Sequence, residues 1–275
     1  MSGKLYVVGT PIGNLGDLSP RAAQTLADVD FIAAEDTRVT LKLLNRFDIH
    51  TPLISYHDHN RLTKGEYVLD RIIAGEDCAV VSDAGMPAIS DPGEDLVRLC
   101  RERGVEVVSV PGPSAVVTAL AMSGMDCGRF CFEGFLSMNK PSRREHLNSL
   151  RGEKRTMVFY EAPHKLQATL ADFLDTFGDR QIALVKELTK IHENVHLTTL
   201  SAAVEHYAEN QPKGEYVLVV AGAPEEAAQQ LSEADAVKLA LSLMADGMPA
   251  SKAAKRAAAE SGVSRAEIYK AITQN

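Results

Sequence analysis

Residues 5–17 read LYVVGTPIGNLGD, an apolar β-branched run that breaks directly into a loop carrying Gly9, Pro11, Gly13 and Gly16. A short strand ending in rigid glycine and proline turns is how an open parallel sheet presents a ligand loop at its carboxyl edge. The glycine spacing fits neither G-x-G-x-x-G nor a loop closed by G-K-[ST]. With no lysine in the loop, a nucleoside triphosphate is a poor ligand for it. Gly9, Pro11 and Gly13 instead fix a backbone that can approach a ligand closely.

Working outward, the same unit repeats. Strands are expected at YVV (6–8), FIAA (31–34), LIS (53–55), CAVVS (78–82) and VEVVSV (105–110). Helices lie between them, one opened by Ser19-Pro20 and another by Asp91-Pro92, the latter stopping at Gly104. Alternation of this kind predicts a mostly parallel sheet with helices on its faces, assigned to residues 1–121. A second α/β domain with a mixed sheet is expected over 122–223, with strands TMVFY (156–160), QIALVKE (181–187), VHLTT (195–199) and EYVLVV (215–220). AGAPEEAAQQ (221–230) reads as a linker. Beyond it, 224–275 predicts three short helices, with Ser232/Asp235 and Ser264/Glu267 as capping pairs. The last two helices have the pattern of a helix-turn-helix or of an ordinary helical hairpin.

Composition bounds the partners. The chain has 275 residues, 45% hydrophobic and 24% charged, with a formal net charge of −8, the profile of a globular protein. No run reaches the length of a membrane span, no secretory pattern precedes the first strand, and a cytoplasmic setting is expected. Cys78, Cys100, Cys127 and Cys131 are expected to be reduced and buried. The acidic total hides two basic stretches: residues 140–155 hold six basic against two acidic side chains, and 251–275 hold five against two. Lys140, Arg143, Arg144, Arg151 and Lys154, with Arg265 in the tail, are therefore candidate contacts to RNA or DNA, the alternative being two solvated helix faces.

Special residues follow every strand of the first set: GTPIGN, AEDTR (34–38), YHDHN (56–60), SDAGMPAISDPG (82–93) and PGPSA (111–115). In a parallel sheet these five ends line one crevice. Asp83 and Met86 suit a ligand with an amino or hydroxyl group on an uncharged body, although Asp83 could equally cap its turn. Ser114 could be a plain helix N-cap. Glu35, Asp36, His57, Asp58 and His59 are as able to pair with one another or with Arg38 as to hold a metal, and no metal is expected. The second set adds FYEAPHKL (159–166) and VKELTK (185–190), which place Glu161, His164 and Glu187 at strand boundaries as candidates for proton transfer.

Taken in order, VGTPIGNLGDLSPRA, IAAEDTR, SYHDHN, VSDAGMPAISDPG, VPGPSA, EGFL, FYEAPHK, KELTK and KGEYVLVV resemble the tetrapyrrole methylase superfamily and, within it, the small-subunit ribosomal RNA cytidine 2′-O-methyltransferases. The resemblance implies a two-domain fold, S-adenosylmethionine held between the domains, a homodimer, and a decoding-region cytidine ribose in small-subunit ribosomal RNA, free or in the assembled subunit, as substrate. It implies cofactor contacts from Thr10 and Pro11, from Asp83 and Met86, and from Ser114 and Ala115. In the second domain it implies Tyr160, Leu188, Gly214, Glu215 and Val217. Where the tetrapyrrole enzymes carry G-D-P, this chain has S-D-A-G-M-P. A ribose hydroxyl needs a base, and Glu161, Asp36, His57, Asp58, His164 and Glu187 all stay open for that role. The rival substrates are a tetrapyrrole or another small heterocycle, and a non-catalytic RNA-binding role is the rival from a different class.

Overall fold

A computed structural model of the chain describes residues 2–224, 233–245, 247–261 and 263–273. Most of the expected linker, and Ser232 of one expected capping pair, lie outside the described residues. Contacts divide the chain into two compact units, residues 1–222 and 223–275.

The first unit contains two five-stranded sheets. The first sheet is built from β1 (Lys4–Val8), β2 (Phe31–Ala34), β3 (Leu53–Ser55), β4 (Cys78–Val81) and β5 (Glu106–Val110), in the order β3-β2-β4-β1-β5. All its pairings are parallel. The connecting helices are α1 (Pro20–Asp28), α2 (Thr37–Arg46), α3 (Arg61–Ile73) and α4 (Glu94–Glu102). Alternation along each strand feeds two cores. Phe31, Ala33, Cys78 and Val80 pack with Leu69, Ile72 and Leu96 of α3 and α4. Ile32, Ala34, Ala79 and Val81 pack with Ala22, Leu26 and Leu44 of α1 and α2. Helix α1 opens as its sequence predicts: Ser19 accepts from the Ala22 amide at 3.0 Å ahead of Pro20. Helix α4 does not. Pro92 is followed by Gly93 at φ +137°, which takes the N-cap position and frees the Asp91 side chain from that task.

Helix α5 (Ala115–Ser123) leaves the first sheet and packs on the second. Its Val116, Ala119 and Leu120 meet Val158, Ala183, Val185, Val217 and Val219. The second sheet has the order β6-β7-β10-β8-β9, from β6 (Phe130–Phe135), β7 (Thr156–Glu161), β8 (Gln181–Lys186), β9 (Asn194–Thr199) and β10 (Tyr216–Val220). Only β6 and β7 run parallel, so the sheet is mixed. Its other face carries α6 (Lys140–Ser149), α7 (Pro163–Phe177) and α8 (Leu200–Glu209), whose Leu147, Leu170, Phe173 and Leu200 pack against Met157, Phe159, Leu184 and Leu218. Strand β6 was not expected from the sequence. Glu133 and Gly134 interrupt its apolar run, and the register slips between Phe132 and Gly134, so the two-residue alternation is broken.

The second unit is three helices, α9 (Glu233–Ala245), α10 (Ala250–Ser261) and α11 (Arg265–Thr273). They close on Ala236, Ala240, Ala254, Ala257, Ile268 and Ile272; alanines at the contacts let the backbones approach closely. Among the described residues no helix is long and apolar enough to cross a membrane. The four cysteines are free thiols. Cys78 and Cys100 are buried as expected, whereas Cys127 is exposed because it sits in the turn leading into β6.

Candidate functional site

In the first sheet β1 lies between β4 and β5, so the chain's outward path through β2 and its return through β5 part beside β1. Such a reversal opens a crevice at the carboxyl ends of the strands. The loops leaving those strands are locked together there. Thr10 and Gly85 form an isolated antiparallel bridge, with N–H to O distances of 2.9 and 3.1 Å, and the Thr10 hydroxyl donates to the Ser82 carbonyl at 3.3 Å. Gly9 lies against Gly112 so closely that a Cβ on Gly9 would stand 2.7 Å from the Gly112 backbone.

A cavity of about 460 Å³ opens over these loops and under the end of the second sheet. The first sheet supplies Ile12, Met86, Ser114 and Ala115; the second supplies Tyr160, Val185, Leu188 and Val217. Ser114 occupies the N-cap position of α5, yet its side chain makes no capping bond. Tyr160 is wedged by Phe132 and Phe135 at ring separations of 5.0 and 5.3 Å, and burial pushes its phenol up to about 12. Glu35, Asp83 and Asp91 form an acidic end. Burial holds all three carboxyls above their ordinary values, with nearby carboxylates adding to the effect. The β2 and β4 exits also clasp each other: the Asp36 amide donates to Asp83 at 3.1 Å and the Asp83 amide to Glu35 at 3.3 Å.

Among the described residues no lysine, arginine or histidine lines the cavity. Carboxylates gathered at one end of a cavity that no described cationic side chain lines repel phosphate and favour a ligand that brings positive charge. The apolar and aromatic wall suits an uncharged heterocyclic body at the other end.

Of the expected cofactor positions, Asp83, Met86, Ser114, Ala115, Tyr160, Leu188, Glu215 and Val217 border this cavity; Thr10, Pro11 and Gly214 do not. Thr10 is buried behind the wall as part of the loop bridge. Gly214, at φ +79°, makes room for the Glu187 side chain. Ile12, Asp91 and Phe135 line the cavity without having been expected. Asp91 was legible as a polar residue beside Pro92, but its reading as a helix cap hid it.

Among the proton-transfer candidates, Glu161 alone lines the cavity. It is 4% exposed. One carboxylate oxygen accepts from the Ala162 amide at 2.9 Å and the other from the Thr169 hydroxyl. Asp36 caps α2 and pairs with Arg38 at 2.6 Å, and the guanidinium holds its carboxyl well below the usual range. Asp58 is exposed and pairs with Arg61 at 3.6 Å. His57 packs edge-on to His59, and its backbone amide is held by Asn60. Glu187 accepts from the Glu215 amide at 3.0 Å and from Lys190 at 2.9 Å, which keep its carboxyl low. Among the described residues, no three His, Cys, Asp or Glu side chains are grouped to hold a metal.

His164 faces a broader groove of about 1410 Å³ between α6 and α7, together with Lys140, Arg143, Arg144 and Lys165. Glu145, Asp172 and Asp175 share it, so the basic excess of the sequence is partly neutralised there. Arg143 is committed to Asp172 at 2.6 Å, and Arg155 to Glu153 at 2.7 Å. Arg151 and Lys154 lie outside this groove. Arg265, in the second unit, donates to Ser251 at 3.0 Å.

Two α/β layers around a phosphate-repelling cleft at a strand-order reversal define a protein that binds a cationic small molecule, not a nucleotide phosphate. The profile for tetrapyrrole (corrin/porphyrin) methylases matches residues 4–204, and the chain belongs to that family. It is 49% identical over 268 residues, 97% of this chain and 96% of the relative, to a protein of Synechocystis sp. named ribosomal RNA small subunit methyltransferase I. A protein of the same name from Escherichia coli O157:H7 is 45% identical, covering 98% of this chain and 94% of the relative. Another from Thermotoga maritima is 46% identical over 220 residues, 80% of this chain but 99% of that protein. Among solved structures, a uroporphyrin-III-C-methyltransferase from Thermus thermophilus shares the fold with a TM-score of 0.56 at 19% identity, covering 80% of this chain and 94% of that one. Diphthine synthase does so with a TM-score of 0.60 at 11% identity, covering 80% and 90%.

Proposed function

We propose that the chain is an S-adenosylmethionine-dependent methyltransferase of small-subunit ribosomal RNA, acting on the ribose 2′-hydroxyl of a decoding-region cytidine. The cleft carries this reading: carboxylates at one end, an aromatic and apolar wall at the other, and no cationic side chain among the described residues that line it. Those residues fit S-adenosylmethionine, which has an ammonium and a sulfonium but no phosphate. When bound, it supplies an electrophilic methyl group.

The chain's own residues divide the remaining work. Glu35, Asp83 and Asp91 bind positive charge; Tyr160, Leu188 and Val217 enclose the uncharged part and exclude water. Methylation of a ribose hydroxyl releases one proton, and Glu161, which lines the cavity, would take it. Lys140 and Arg144 of the α6–α7 groove, with Lys154 and the tail's Arg265, would meet RNA phosphates. Specificity would come from RNA shape and a splayed base. Residues 1–121 and 122–223 act as the two lobes around the cofactor, with 224–275 as an accessory region. A homodimer is part of the proposal, supported by the resemblance and by exposed apolar side chains such as Val117 on α5. A cytoplasmic setting follows from the substrate.

Calorimetric titration with S-adenosylmethionine and with ATP tests the cleft: binding of the first alone is expected. Labelled methyl transfer to small ribosomal subunits, mapped to a ribose 2′-oxygen, tests the substrate. Transfer to a tetrapyrrole instead would refute it.

A further inference from the structure

The cavity and the α6–α7 groove are separate openings, yet one line of hydrogen bonds connects them. Glu161 ends β7 at the cavity, and its second carboxylate oxygen accepts from the hydroxyl of Thr169, two turns into α7 and 0% exposed. That hydroxyl in turn accepts from Arg143 Nη2 at 2.9 Å. Arg143 Nε is anchored on Asp172 at 2.6 Å, and its side chain, 15% exposed, lines the groove. A hydroxyl has one proton to give. Because Arg143 occupies a lone pair of Thr169, the Thr169 proton points at Glu161.

From this geometry we infer that Thr169 is a positioning residue for Glu161, and that Arg143 sets the direction of its hydroxyl. The inference rests on the reading of Glu161 as the proton acceptor. Glu161 has three rotatable bonds between its backbone and its carboxyl group, and its contact to Ala162 holds only one oxygen. Without the Thr169 hydroxyl the carboxylate can turn about that single contact, and the reactive arrangement is populated less often. Such a loss lowers kcat and leaves cofactor binding and KM for RNA largely as they were, because neither Thr169 nor Glu161 carries the positive charge that meets RNA. The relay also gives Arg143 work other than phosphate binding, despite its place in the basic stretch.

The test uses the full-length protein with small ribosomal subunits as methyl acceptor, measuring kcat, KM, S-adenosylmethionine affinity and Tm. Thr169→Val keeps the shape and removes the hydroxyl; kcat is expected to fall about tenfold or more, with cofactor affinity within about twofold. Thr169→Ser restores the hydroxyl and is expected to recover most of the rate, which guards against a simple packing defect. Adding Thr169→Val to Glu161→Gln is expected to lower the residual rate no further, since a residue acting through another has no effect once that one is gone. A Thr169→Val enzyme with wild-type kcat, or multiplicative losses in the double variant, would overturn the relay while leaving Glu161 in place. Full turnover by Glu161→Gln would overturn the base assignment, and the relay with it.

Discussion

Alanine at Gly9 asks whether the cleft is shaped by backbone contact between the β1 and β5 exits. Gly9 has no left-handed φ, so alanine meets no conformational penalty there and the test is purely steric. Its Cβ would lie 2.7 Å from both the Cα and the N of Gly112 and 2.7 Å from the sulfur of Met86. Ordinary contact begins near 3.4 Å, so the two loops must part by roughly 0.7 Å. Met86 can swing aside; the Gly112 backbone cannot. Only one residue away, Val8 and Val110 are paired in the ladder, and the Thr10–Gly85 bridge restrains the other side. Overpacking of this kind costs about 1–3 kcal/mol. At the middle of that range, Tm falls by about 4–8 °C for a domain of this size.

The displaced atoms include Met86, which lines the cavity, so S-adenosylmethionine affinity should fall as well, by about tenfold. Gly152→Ala is the matched control: its Cβ meets nothing within 4 Å and its φ is ordinary. It is expected to be neutral or to stabilise by about 0.4–1 kcal/mol through the unfolded chain. Scanning calorimetry and cofactor titration of both variants give the comparison. Equal Tm values and equal affinities would refute the claim that glycine-to-glycine contact sets the cleft.

Three further outcomes follow from the charges and from the second unit. Burial holds the Asp91 carboxyl above its unfolded value, so the native state keeps this proton more tightly and stability is lost as pH rises through the carboxylate range. Asp91→Asn should therefore raise Tm by about 1–2 °C at pH 7 and leave it unchanged near pH 3, while weakening S-adenosylmethionine binding; a lower Tm at pH 7 would contradict the sign. Glu187 is the opposite case: the Glu215 amide and Lys190 hold its carboxyl low, so its contribution is present at neutral pH and lost as pH falls below the usual carboxylate range. Glu187→Gln should cost about 1–2 kcal/mol at pH 7 by denaturant unfolding, with a difference that vanishes in acid. Deleting residues 224–275 should leave cofactor affinity unaltered, because the described residues that line the cavity belong to the first unit, and should lower RNA affinity about tenfold at low salt; unchanged RNA binding would remove Arg265 from the interface.

The first sheet was legible because β2 and β4 are buried on both faces, which writes short continuous apolar runs into the sequence between capped helices. Strand β6 was not, since its bulge places Gly134 at φ +65° in the middle of the pairing and erases the period by which a strand is recognised. The cleft was half legible. Five polar turns at five strand ends announce a crevice, and most of the cofactor positions implied by resemblance border it. Which polar side chain faces inward is a different matter. Asp91-Pro92 reads locally as a helix start, and only the backbone of Gly93 shows that the cap has moved two residues further on and left the carboxylate to the cavity.

Glu161 and Glu187 show the same ambiguity from both sides. Each is a glutamate at the carboxyl end of a strand in the second sheet, preceded by Tyr160 and by Lys186, and nothing local separates them. The difference lies in a glycine far along the chain. Gly214 at φ +79° has no Cβ where the Glu187 Cγ would stand 2.5 Å away, so the carboxylate of Glu187 folds back onto the loop and is consumed by the Glu215 amide and Lys190. Glu187 itself adopts φ +52°, a left-handed conformation that a glutamate holds only when its surroundings over-determine it. Among the described glycines none lies against Glu161. Its neighbour is Thr169, whose hydroxyl reaches the carboxylate from within the protein and leaves the group at the cavity edge. Glu187 closes a loop and Glu161 serves a cleft because of what the chain places opposite each, Gly214 27 residues after Glu187 in one case and Thr169 eight residues after Glu161, within a helix, in the other.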